Sequence, residues 1–160
     1  MMKLAKSTVF PAAMLLFLAG AAAPLFGQNI ELSLSRSSLS FPAADPDTTP
    51  LVPANDTLTV RIKVTGGGPP RSWQLTLRAN GDLADTSSTA LIDISNITWT
   101  ASPAPPFQNG TLAANVDQVA ASDRDANVNE TGSMTFFFQN LWTHPAGSFT
   151  QSVTFTLSRT

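Results

Sequence analysis

Residues 148–159 constrain the fold more than any other stretch: Phe149, Gln151, Val153, Phe155 and Leu157 alternate with Thr150, Ser152, Thr154, Thr156 and Ser158. A period of two sends successive side chains to opposite faces, so this run reads as a strand with one buried face. His144-Pro145-Ala146-Gly147 in front of it is turn chemistry, and only Thr160 follows Arg159. One half-buried strand is not stable by itself; it needs neighbours to pair with and a second layer over its apolar face.

The same period recurs upstream. Leu58, Val60, Ile62 and Val64 alternate with Thr59, Arg61, Lys63 and Thr65; Trp73, Leu75, Leu77 and Ala79 begin another run; Met134, Phe136 and Phe138 form a third, with Phe137 on the other side. Ile30, Leu32 and Leu34, then Leu39 and Phe41, predict one strand or two short ones joined near Ser37-Ser38. Ile92 and Ile94 share one phase while Ile97 and Trp99 fall in the other, which predicts a bulge near Ser95-Asn96 or a strand buried on both faces.

Breakers separate these runs. Pro42, Pro46, Pro50 and Pro53 with Asp45, Asp47 and Asn55 predict a surface connection over residues 42–55, neither helix nor central strand. Gly66-Gly67-Gly68-Pro69-Pro70 predicts a hairpin with a wide loop, and Asn80-Gly81-Asp82 and Asn109-Gly110 predict tighter turns. Residues 115–132 are the least periodic and the most polar, and read mostly as loop, with a helical turn at most around residues 116–121. Seven or eight short strands without a convincing helix predict an all-β fold, a single antiparallel β-sandwich of immunoglobulin-like or pilin-like type.

The opening residues predict export. Lys3 and Lys6 precede an apolar run through Met14, Leu15, Leu16, Phe17 and Leu18 to Ala23, the layout of a signal peptide. Cleavage after Gly27 leaves Gln28 first and a domain of residues 28–160, 133 residues, enough for one core. This address is secreted or extracytoplasmic, periplasm or cell surface, with no membrane segment after cleavage. Without Lys3 and Lys6, seven basic residues stand against eleven acidic ones, a formal charge of −4, which disfavours nucleic acid and anionic membranes as partners. Cysteine is absent, so no disulfide staples the domain and stability must come from its core.

The ending from Ala146-Gly147 through the Thr/Val-alternating strand resembles the terminal strand of spore coat protein U and related fimbrial-type subunits of bacteria. Trp73-Gln74-Leu75 and Phe155-Thr156-Leu157 are also similar to the paired Trp-x-Leu motifs of bacterial surface proteins, the second with Phe in place of Trp. The resemblance implies an exported, non-catalytic sandwich serving at the cell surface or in an extracellular assembly.

Catalytic chemistry has little to build on. His144 is the only histidine, sits beside Pro145, and no Gly-x-Ser-x-Gly elbow accompanies it; it reads as an exposed turn residue. One histidine without cysteine cannot close a zinc site. Asp123, Asp125 and Asn127 place oxygens at alternate positions as a calcium loop does, but Val128 stands where the sharp turn needs Gly and Met134 where a bidentate Glu belongs. Gly66-Gly67-Gly68 lacks the Lys-Ser/Thr of a phosphate loop. No cofactor is expected. Trp73 and Trp99 fall on apolar phases and read as core, whereas Trp142 is the aromatic best placed for exposure.

These readings converge on a non-catalytic structural or adhesive subunit whose partner is another protein or a second copy, met through sheet edges. The candidate assembly residues are Ile30, Leu32 and Leu34, first in the mature chain, and Phe149, Val153, Phe155 and Leu157 of the closing strand. The alternative is a carbohydrate-binding module, with a glycan partner, using exposed aromatics.

Overall fold

The computed structural model describes residues 12–16, 29–65, 71–125 and 127–159, residues 12–16 by their backbone. The strands are β1 (Ala12–Leu16), β2 (Asn29–Leu34), β3 (Ser38–Phe41), β4 (Leu51–Pro53), β5 (Leu58–Thr65), β6 (Arg71–Ala79), β7 (Leu83–Asp85), β8 (Leu91–Ile92), β9 (Ile97–Ser102), β10 (Gly110–Thr111), β11 (Gln118–Asp125), β12 (Val128–Gln139) and β13 (Phe149–Arg159). A single 3-10 turn, Ile94–Asn96, precedes β9.

Two sheets result. The first runs β11-β6-β13-β1-β3, with β7 also on β13 and β8 on β7; the second runs β10-β9-β12-β5-β2, with β4 on β12. Every pairing is antiparallel except β1 with β13. Alternation in sequence becomes alternation in burial: in β5 each of Leu58, Val60, Ile62 and Val64 is buried between exposed Thr59, Arg61 and Lys63. Trp73, Leu77 and Phe155 of the first sheet and Ile62, Trp99 and Phe136 of the second belong to one core, the two-layer arrangement of a β-sandwich. The two motifs likened to Trp-x-Leu lie side by side, with Leu75 opposite Leu157 and Leu77 opposite Phe155.

The strands depart from the sequence reading at four places, each for a physical reason. β5 and β6 do not pair as a hairpin: they belong to different sheets, because both carry a fully apolar face and the core lies between them. The connecting Gly66-Gly67-Gly68-Pro69-Pro70 lies outside the described residues. Residues 115–132 are mostly strand, not loop. β11 pairs with β6 at the sheet's edge, a register shift between Val119 and Ala121 leaves Ala120 and Ala121 both buried, and residues 122–125 are exposed, so no period of two is written there.

The phase change around Ser95 is a 3-10 turn, which accounts for four buried residues on two phases, Ile92, Ile94, Ile97 and Trp99. It also carries the chain from the first sheet to the second. Asp93 caps it by accepting from the Ser95 N–H at 2.8 Å, and Asp82 accepts from the Ile94 N–H at 3.1 Å. Within the proline-rich connection, β4 adds to the outer part of β12 and buries Val52, as prolines permit at a sheet edge.

The opening residues contribute one described strand. Ala12–Leu16 is a strand of the first sheet. The remainder of residues 1–27, including the expected cleavage site, lies outside the described residues.

Candidate functional site

In the first sheet β1 joins the edge strand β3 to the rest, and among the described residues no other strand does so. On one side β1 runs parallel to β13, with positions 12–16 in register with residues 149–153; on the other it runs antiparallel to β3, with positions 12–15 opposite residues 41–38. Among the described residues β3 has no other strand partner in this sheet. It is held independently of β1 by Asn55, whose side-chain oxygen accepts from the Ser40 N–H at 3.1 Å and whose N–H donates to the Ser40 carbonyl at 2.8 Å, and by burial of Leu39 and Phe41. β13 is held on its far side by β6 and β7. Around β1, then, two fixed strand edges face one another across one strand's width.

The walls of this slot have a pattern. Positions 12, 14 and 16 of β1 stand level with Phe149, Gln151 and Val153, and positions 12 and 14 also with Phe41 and Leu39. Four of those five wall residues are buried and apolar. Gln151 is half-buried and tied down locally: its amide donates to the Asp82 carbonyl at 2.6 Å and its oxygen accepts from the Ser152 N–H at 2.7 Å. The positions between are level with Thr150, Ser152, Ser38 and Ser40, so the slot matches a strand with apolar residues at alternate places.

Asp85 fixes one end of the slot. It lies opposite Phe149, accepts from the Ser148 N–H at 2.9 Å, and accepts from the hydroxyls of Ser87 at 3.0 Å and Ser88 at 2.6 Å. The Ser88 bond first, and those of Ser87 and Ser148 with it, hold its carboxyl below the usual carboxylate range.

At the same end a pocket lined by Phe41, Val52, Leu83, Phe138, Asn140 and Phe149 has a volume of about 10 Å³, space for about one water. Asn140 is only 2% exposed. Its amide donates to the Ala44 carbonyl at 3.0 Å and the Thr49 carbonyl at 3.4 Å, while its Oδ1 has no hydrogen-bond partner among the described residues.

The other expected sites are placed as follows. Ile30, Leu32 and Leu34 are half-buried in β2, the edge of the second sheet, paired in register with Val64, Ile62 and Val60. Phe149 and Val153 wall the slot, whereas Phe155 and Leu157 lie beyond β1 and face β6. Asp123 and Asp125 lie in the extended edge strand β11, their carboxylates accepting from the Arg124 and Asn127 N–H groups. No group of three or more His, Cys, Asp or Glu able to hold a metal comes together among the described residues.

Trp73 and Trp99 are core residues, and Trp142 is 64% exposed, its indole donating to Asp47 at 2.8 Å. His144 is not the exposed residue expected of a turn: it packs against Phe138 with ring centroids 5.4 Å apart and the rings tilted by 38°, and burial holds its pKa below the ordinary value.

Sequence reasoning missed β1 as a slot strand and Asn140 as a buried lining residue. The apolar alternation of Leu39 and Phe41 was the available signal for one wall; nothing in the sequence marked which strand they would face. No protein-family model and no curated protein matches the chain.

Proposed function

We propose that this protein is a secreted, non-catalytic structural or adhesive subunit that works outside the cytoplasm through β-sheet-mediated interaction with a protein partner or a second copy. The observation that supports this reading is the slot between β13 and β3, whose one occupant is a segment that the sequence marks as part of an export leader. Once the leader is removed, two strand edges and the apolar residues Leu39, Phe41, Phe149 and Val153 lie open between layers. An added strand satisfies both edges with main-chain hydrogen bonds and fills alternate side-chain positions, which is how extended segments are recognised by sheets.

The carbohydrate-binding alternative rests on Trp142, the large aromatic exposed among the described residues. One indole already bonded to Asp47 is a small platform, and the assembly reading has the larger apolar surface behind it.

The test uses the exported, processed protein. Its intact mass is expected to begin at or near Gln28, and light scattering is expected to find it self-associated, or monomeric and raised in melting temperature by strand peptides with apolar residues at alternate positions. A processed monomer indifferent to every such peptide, yet held on a glycan column and released by Trp142→Ala, replaces the assembly reading with the glycan one.

A further inference from the structure

We infer that residues 12–16 are a built-in cap: the uncut chain occupies its own assembly slot, and cutting between residues 16 and 29 makes the slot available to a strand in trans. The inference rests on the slot reading above and adds its regulation.

Three observations carry it. First, β1 fills the slot on both sides, with five register pairs to β13 and four to β3, so an uncut chain has no free edge there over residues 149–153. Second, the strand is attached through residues 17–28, a tether of twelve residues. A tether of that length holds its strand near the slot at an effective concentration on the order of millimolar, which a free strand at micromolar concentration does not match. Cutting the tether removes that advantage without altering either wall.

Third, the cap places a small residue at one register position. The position level with Phe149 and Phe41 is Ala12, and both phenylalanines line the pocket that Asn140 also lines. A strand with a larger apolar residue at that register position brings more apolar area to the slot than alanine has to offer. The arrangement is a placeholder: held by its tether while the chain is whole, and displaceable by a better-fitting strand once it is cut.

The experiment uses the full chain with a protease recognition sequence in place of residues 21–27, folded first and cut afterwards. The probe is a labelled synthetic peptide of residues 10–18 carrying terminal lysines for solubility, followed by fluorescence anisotropy. The uncut chain is expected to refuse the probe at micromolar concentration, and the concentration needed for half-occupancy is expected to fall about a thousandfold on cutting. A probe with Val at the position of Ala12 is expected to bind about tenfold tighter than the parent probe. Met14→Pro in the uncut chain, which removes a strand donor from the cap and leaves residues 29–160 intact, is expected to admit the probe without cutting.

Equal uptake by the cut and uncut chains overturns the cap while leaving the slot in place. Refusal of the probe by all three forms, folded by circular dichroism, overturns the slot and the cap together. Loss of the folded spectrum when the cut fragment is washed away also overturns the inference, because residues 12–16 are then a core strand and not a cap.

Discussion

Val153 stands directly opposite Ala79 in the ladder between β13 and β6, and neither side chain has exposed surface. Its neighbour Thr154 is half-buried on the other face, opposite the exposed Arg78. Val153→Asp is therefore expected to abolish folding, since an unpaired buried carboxylate costs several kcal/mol against a total stability of about 5–15 kcal/mol. Thr154→Asp gains a cross-strand cation and is expected to shift stability by less than about 1 kcal/mol. Urea denaturation of both variants checks this; similar midpoints would mean that β13 does not have one buried face.

Two glycines leave room for rings. A Cβ on Gly132 would collide with the Phe107 ring, and one on Gly110 with the Trp99 indole. Both rings are buried, and Trp99 is further fixed by its indole bond to the Gln108 carbonyl at 2.9 Å. Gly132→Ala and Gly110→Ala are each expected to cost about 1–3 kcal/mol through overpacking. Melting temperatures unchanged from the parent would contradict the packing described.

Asn140 ties the proline-rich connection to the core through the carbonyls of Ala44 and Thr49. Asn140→Leu leaves both carbonyls without that donor and is expected to cost about 1–3 kcal/mol. Asn140→Asp loses the same donors and adds a buried charge, so it is expected to be the more damaging of the pair. Thermal melts of the two variants at neutral pH give the order directly; the reverse order would refute this account of the side chain.

His144 predicts a pH dependence. Burial lowers its pKa in the folded chain below 6.5, so as pH falls through about 6.5 the unfolded chain takes up the proton first. Stability is unaffected by this group above that pH and falls as the solution is acidified, down to the folded-state pKa. His144→Gln is expected to flatten the melting temperature between neutral pH and the lower limit of that window. An identical slope in parent and variant would assign the dependence to other groups.

How much of this was written in the sequence differs from strand to strand. β5, the second half of β12 and β13 were legible because each buries one face, and a period of two is the direct imprint of that geometry. β11 was not: at a sheet edge, with residues 122–125 exposed, backbone bonding alone makes it a strand and any polar residue serves. The slot was half legible. Leu39 and Phe41 announced a buried face, but the slot they wall also needs β1 to pair with β13, more than 100 residues away, and local patterning carries no record of that.

The position of β13 also sets the order in which the molecule can be completed. Its register partner for Val153 is Ala79, 74 residues earlier in the chain, and the other wall of the slot, β3, was synthesised earlier still. Every principal strand of the second sheet precedes residue 140, whereas the first sheet has no middle until residues 149–159 exist. A growing chain therefore carries that layer in three disconnected pieces, β11-β6, β1-β3 and β7-β8, and pairings this distant in sequence are slow to close. Completion of the first sheet therefore waits until residues 149–159 have been made.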